Sequence, residues 1–386
     1  MTHIFSCTGH ELKLPRITDS NGVFVFDDQG NKYMDLESGV WCTCLGHKHP
    51  RVNKALSDQM ERLTHAGFCY SSPIVETAAG EVLDIAGFPG GKTVFLCSGS
   101  EAIEILRQMA RHLTGKALSM TLSDSYLGSY SSVTDRSRGW FLFNWDGCQT
   151  CEKAEACDPS CRALRDVPGN ISDFVFEPGS SSGFVRFPPK GLIQNLCGLV
   201  RNNGGKIIAN EVTTGMGRTG KWFGFQHYPI LPDMVAMGKG LGNGYPVSAA
   251  ALSRQTALEL EEKPFKYAQS HQNDPLGAAA AGAVIREIQS RDLIEKAQEN
   301  GRYLLERLTG LGDNQTIPAV RGRGLMLAVD VKDQETTQQV YEGLIQRGFL
   351  LGNRGTALRI DPPLTIGRDD MDRFLAAFET EVGQWS

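Results

Sequence analysis

The apolar positions of the chain change texture along its length. From about residue 93 to 253, short unbroken apolar runs alternate with stretches of helical spacing. Thr93–Cys97, residues 117–123, residues 139–143, Asp173–Phe176, Ile207–Ala209 and Met234–Met237 read as strands buried on both faces. An amphipathic helix to about His112 follows the first run, and residues 189–203 form another, stopped by Gly204-Gly205. This alternation predicts an open, mostly parallel sheet covered on both faces. Upstream, residues 22–36 read as two strands around the turn Asp28-Gln29-Gly30-Asn31. Helices are expected from Val52 to Leu63, behind Pro50, and from about Pro73 to Ile85. After Pro275 long helices dominate. Asp292 with Glu295 reads as a capping pair. Strands at Leu325–Val331 and Leu358–Ile360, with a helix near Thr336–Arg347 between them, complete an α+β lobe. The expected division is an N-terminal segment (1–49) of a small lobe, a large domain (50–275) and a C-terminal small domain (276–386).

Composition narrows the class without changing that picture. The 386 residues include 22% charged and 41% hydrophobic positions, with a net charge of −5. No basic block suggests a nucleic-acid partner. No apolar run approaches the roughly 20 residues of a membrane helix. The segment MTHIFSCTGHELKLP does not read as a secretory signal, so a cytoplasmic location is the expectation. Ten cysteines is a high count for that compartment, and four of them, Cys148, Cys151, Cys157 and Cys161, lie within fourteen residues.

The most informative stretch is Lys206 to Pro246. Its first apolar run ends in Asn210-Glu211. Its second delivers Lys239 among Gly238, Gly240, Gly242 and Gly244. Glycines let a backbone approach a ligand closely. A lysine among neutral groups can have its amine brought into the nucleophilic range. Taken alone, such a lysine is as well explained as an ordinary loop residue; its surroundings decide otherwise.

Seven motifs occur in the order found in the class III aminotransferases, which are pyridoxal-phosphate enzymes of fold type I: SGVWCTCLGHKHP, SGSEA, Tyr126-Leu127-Gly128, Glu177-Pro178, Asn210-Glu211 through Lys239, Ser270 to Leu276, and Arg359-Ile-Asp-Pro-Pro-Leu. Arg321-Gly-Arg-Gly-Leu is similar to a further C-terminal signature. The chain most resembles the acetylornithine and ornithine branch. The resemblance implies an α/β fold with a mostly parallel seven-stranded sheet and a smaller α+β lobe. It also implies ping-pong amino transfer between an amino acid or amine and a 2-oxo acid, with glutamate and 2-oxoglutarate the default pair. Lys239 would form the Schiff base with the cofactor and move the proton. Ser98, Gly99 and Ser100, between a strand and a helix N-terminus, would hold the phosphate. Tyr126 would stack on the ring, with Glu177, Asn210 and Thr213 around it. Ser270 would reach the phosphate of a neighbouring subunit, which implies a homodimer with shared sites. Arg359 would grip a substrate carboxylate, and Trp41 with Cys42 would line the pocket of the second substrate.

The departures from the pattern matter as much. Asn210 stands where the family has Asp; a neutral amide cannot hold a proton on the ring nitrogen electrostatically. That leaves open a racemase, decarboxylase or lyase on the same fold, or a cofactor-binding protein with weak catalysis. Thr213 replaces Gln beside the cofactor's ring oxygen, and its shorter hydroxyl is expected either to fall short of that oxygen or to reach it through water. Gln272-Asn273-Asp274 replaces Gly-Gly-Asn, and Leu127 replaces His. Ser182 replaces a Glu that in ornithine-type enzymes pairs with the substrate arginine, so Arg359 is expected to be permanently free. The cysteine cluster is an insertion whose four thiols suit structural zinc, with disulfides, an iron–sulfur cluster or free thiols as alternatives.

Overall fold

The computed structural model describes residues 3–5, 7, 12–14, 16–312 and 315–384. Its centre is a seven-stranded sheet in the order Lys92–Leu96, Ser248–Leu252, Met234–Met237, Lys206–Asn210, Ile171–Phe176, Leu118–Leu122, Trp140–Phe143. Ser248–Leu252 runs antiparallel to both neighbours; the other pairs are parallel. The sheet therefore has the expected form. Its strands read as continuous apolar runs because helices cover both faces: every residue of Ile171–Phe176, Met234–Met237 and Ser248–Leu252 is buried.

Two smaller sheets flank it. Ile17–Asn21, Phe24–Asp27 and Lys32–Asp35 form an antiparallel meander that takes Phe349–Leu350 as a parallel fourth strand. Ala319–Arg323, Met326–Asp330, Ala357–Ile360 and Gly352–Arg354 form an antiparallel sheet. The turn at residues 28–31 is where the pattern placed it, but five strands carry no clear apolar run: 17–21, 319–323 and 352–354 are partly exposed, 349–350 is buried but only two residues long, and 248–252 is the small-residue run SAAAL. Asp292 does precede the Leu293–Gly310 helix, yet it adopts φ 51° and its side chain makes no cap bond. The expected capping pair with Glu295 does not form, because the left-handed backbone turns the carboxylate away from the free amides.

The cysteine insertion folds as short turns against the Lys190–Asn202 helix. Asn195 donates to the Cys157 carbonyl at 2.8 Å. Gly191 lies under the insertion's backbone, where a Cβ would come within 2.5 Å of the Cys157 amide. No disulfide joins the four cysteines.

Candidate active site

Strand ends build the site. Lys92–Leu96, Leu118–Leu122, Ile171–Phe176, Lys206–Asn210 and Met234–Met237 all point their carboxyl ends to one edge of the sheet, where open α/β sheets hold ligands. A cavity of about 360 Å³ opens there, lined by Ser98, Gly99, Ser100, Tyr126, Asn210, Thr213 and Lys239. Cys42 also faces it.

Ser98 is first of all a helix cap. Its hydroxyl accepts from the Glu101 amide, and the Glu101 carboxylate accepts from the amides of Cys97 and Ser98. This capping box opens the sixteen-residue Gly99–Thr114 helix. It leaves the Gly99 and Ser100 amides at the cavity wall with the positive end of the helix dipole. Gly99 is needed for space, since a Cβ there would meet Val212 at 2.6 Å.

Lys239 adopts φ 46°, a region that costs a non-glycine residue energy and is tolerated where function holds it. Its Nζ donates to the Thr213 hydroxyl at 3.3 Å and lies 4.5 Å from the centre of the Trp41 ring. Loss of solvent pulls its ammonium below the usual lysine range, opposed by Cys42 and Glu177 nearby. Thr213 is thus close enough to touch the lysine.

Asn210 is buried and both of its amide hydrogens are engaged, while Oδ1 keeps a second lone pair. Its Nδ2 donates to the Tyr126 carbonyl at 3.2 Å and to Glu177 Oε1 at 3.3 Å, and its Oδ1 accepts from the Val212 amide. Glu177 accepts from the Tyr126 amide and the Ser181 hydroxyl as well. Burial pushes the Glu177 carboxyl up to about 7. An aspartate at 210 would set two carboxylates side by side here, so the amide suits this pocket. Tyr126 is half-exposed, its hydroxyl near Ser129 Oγ at 3.1 Å.

Trp41 and Arg359 sit beside the cavity. Residues Ser38 to Trp41 all have φ between 50° and 66°, a left-handed turn held by Asp35, which accepts from the Glu37 and Gly39 amides. That turn buries Trp41, and the Arg359 guanidinium lies 4.2 Å over its ring. Gly352 stands opposite Arg359 in the sheet register. A Cβ there would come within 2.4 Å of the guanidinium nitrogens.

Two expectations need correction or qualification. Arg359 is not free: its Nη2 donates to Glu37 Oε1 at 2.9 Å. The serine at 182 predicts an unpaired arginine, but a carboxylate from the N-terminal segment reaches it through the fold. Among the described residues, the group of three potential ligands with donor atoms within 4.8 Å of one another is His65, His271 and Asp274. Cys148, Cys151, Cys157 and Cys161 do not meet that distance, although the other three lie near enough to Cys148 to act on its thiol electrostatically. Ser270 lies on an exposed turn outside the cavity lining. Residues not anticipated are Val212, Ser181, Tyr245 and Glu37. Val212 and Tyr245 had a signal, both lying within the Lys206 to Pro246 stretch.

The family model "Aminotransferase class-III" matches residues 7–138 and 142–382. The acetylornithine aminotransferase of Methanopyrus kandleri is 32% identical over 93% of this chain and 92% of its own. A leucine/methionine racemase of Thermococcus litoralis is 29% identical over 93% and 88%. An amine transaminase from an uncultivated Pseudomonas species, solved in its PLP-bound form, superposes with a TM-score of 0.92 at 23% identity, covering 100% of this chain and 99% of that one.

Proposed function

Because the chain belongs to the class III aminotransferases, a family of pyridoxal-phosphate enzymes, we propose that Lys239 carries the cofactor and that Arg359 selects the substrate by its carboxylate. The observation that carries this reading is the Lys239 amine, desolvated and set at the wall of a cavity with a helix N-terminus and Asn210 around it. The site fits pyridoxal phosphate. The Gly99 and Ser100 amides suit the phosphate, Tyr126 the ring face, and Asn210 and Thr213 the ring's polar edge, with Glu177 behind Asn210. When bound, the cofactor supplies the electron sink for loss of the α-proton. Lys239 Nζ takes that proton and returns it, its basicity set by desolvation and by the Thr213 hydroxyl. Asn210 is neutral, so it orients the ring without fixing a proton on it. Trp41 and Cys42 shape the substrate side, and Arg359 offers a two-pronged grip for a carboxylate such as that of glutamate or 2-oxoglutarate.

The reading extends to assembly. Ser270 is exposed and outside its own cavity, which supports a reading in which it completes the phosphate site of a second copy in a homodimer; a cytoplasmic location belongs to the same reading. The three sheets support a large domain over 50–275 and a small lobe formed by 1–49 with 276–386. The four clustered thiols hold structural zinc as thiolates, drawn together by the metal; metal analysis showing none, or showing iron, overturns this.

Amino donors added singly to holoprotein test the function. The cofactor's absorbance is expected to pass to that of its amino form and to return with an oxo acid. Loss of optical activity in an amino acid without that change would indicate racemisation instead, and no change with any amine would indicate a binding protein. Lys239→Ala should abolish the borohydride-reducible adduct and lower turnover on the order of ten-thousandfold. Survival of the adduct would remove Lys239 from its role.

A further inference from the structure

Arg359, Glu37 and Lys13 form a chain of alternating charge. Glu37 Oε1 accepts from Arg359 Nη2 at 2.9 Å, and Glu37 Oε2 accepts from Lys13 Nζ. The Glu37 and Arg359 side chains are only 11% and 12% exposed, whereas Lys13 is 30% exposed. Lys13 is itself anchored, donating to the Leu351 carbonyl at 2.8 Å. Arg359 keeps a donor in reserve, since its Nε is buried without a hydrogen-bond partner. Asp361, buried with Trp41 beside it, faces the same guanidinium. One carboxylate, Glu37, is thus shared between two cations.

This sharing has an energetic consequence. A buried ion pair that loses one partner leaves an uncompensated charge, which is costly. If Glu37 leaves Arg359, it is still paired with Lys13, so that cost is largely avoided. A carboxylate entering beside Trp41 can then take Arg359 without stranding Glu37. With no carboxylate in the site, Glu37 keeps the guanidinium neutralised.

We propose that Glu37 is a displaceable occupant of Arg359 and that Lys13 is the counter-ion that receives it. Together they are specificity-determining residues that let one site take carboxylate substrates and amines without a carboxylate. The proposal rests on the reading of Arg359 as the carboxylate-binding residue. It makes Lys13, far from the cavity in sequence, part of the substrate site.

The two partners of Glu37 pull it in opposite directions, and this provides the test. Succinate, a dicarboxylate that cannot react, is titrated into holoenzyme by calorimetry. KM and kcat are measured with 2-aminobutyrate and with 1-aminopropane, which lacks its carboxylate. Glu37→Gln frees Arg359 and is expected to tighten succinate about tenfold while raising KM for 1-aminopropane. Lys13→Met leaves Glu37 with Arg359 alone and is expected to weaken succinate about fivefold and raise KM for 2-aminobutyrate, with kcat little changed. Lys13 is partly exposed, so this variant tests the proposal even if Glu37→Gln does not fold. Arg359→Gln separates the two readings. If it leaves succinate affinity unchanged, the role of Arg359 is wrong. If it abolishes binding while Lys13→Met leaves it unchanged or tightens it, or while Glu37→Gln weakens it, the displacement proposal is overturned.

Discussion

The end of the cavity that holds Lys239 and Asn210 is made from carboxyl ends of strands in one sheet, while the end that holds Arg359 is made from segments up to 338 residues apart. At the first end each side chain is placed by its own strand or helix terminus, and the sheet brings the termini together. At the second, Trp41 is placed by a left-handed turn, Arg359 by a strand in another sheet, and Glu37 and Lys13 by the N-terminal segment. The first end is thus fixed by the pairing of strands within one sheet. The second depends on how the smaller sheets and the N-terminal segment meet, which suits a region that must accept different substrates.

The largest blow to this contrast falls on the second end. Gly352→Ala would put a Cβ within 2.4 Å of the Arg359 guanidinium. Loss of a bidentate grip and of orientation is expected to cost about a hundredfold in kcat/KM for carboxylate donors. Donors lacking a carboxylate should be affected much less, and an equal loss for both would show that the glycine supports the fold generally.

Asn210→Asp probes the first end at smaller scale. A carboxylate at the ring's edge should speed the single-turnover half-reaction by about tenfold, because it would hold a proton on the ring nitrogen. The new carboxylate would lie beside Glu177, which is 3.3 Å from the Asn210 amide, so part of the gain should appear only when Glu177 is protonated or changed to Gln. A slower half-reaction in both backgrounds would show that the native amide is optimal.

The smallest effect is one of pH on the apoprotein. Glu177 has its carboxyl pushed up to about 7 from an ordinary value of 4.5. Between those values the unfolded chain has lost this proton and the folded chain has kept it. The folded state binds more protons, so this contribution to stability is full below the unfolded value and is lost as pH rises through about 7. Glu177→Gln should flatten that fall, changing the difference in Tm between pH 5 and pH 7.5 by roughly a few degrees. An unchanged slope would place the titration elsewhere, in Glu211 or Asp361, whose carboxyls burial also raises.

The first end was largely legible because its residues are written as local patterns: an apolar run, then one polar residue, then glycines or a helix start. Ser98, Asn210 and Lys239 each follow that grammar. Glu37 does not. It lies in no periodic element, and its partners are 24 and 322 residues away. Reading Arg359 as free followed from the serine at 182, since a missing carboxylate in one segment carries no information about a carboxylate supplied by another. The role of Gly352 was invisible for the same reason: it depends on standing opposite Arg359 in a register set by tertiary pairing.

By itself, the order of apolar runs and Gly-rich turns determined the parallel sheet and the positions of Lys239, Asn210 and the helix start at Gly99, because strand burial and helix capping are short-range consequences of residue type. Only the tertiary structure decided that Asn210 is held by Glu177, that Trp41 lies under both Lys239 and Arg359, and that Glu37 occupies the arginine. Those contacts join chain segments whose separation in sequence places no constraint on their distance in space.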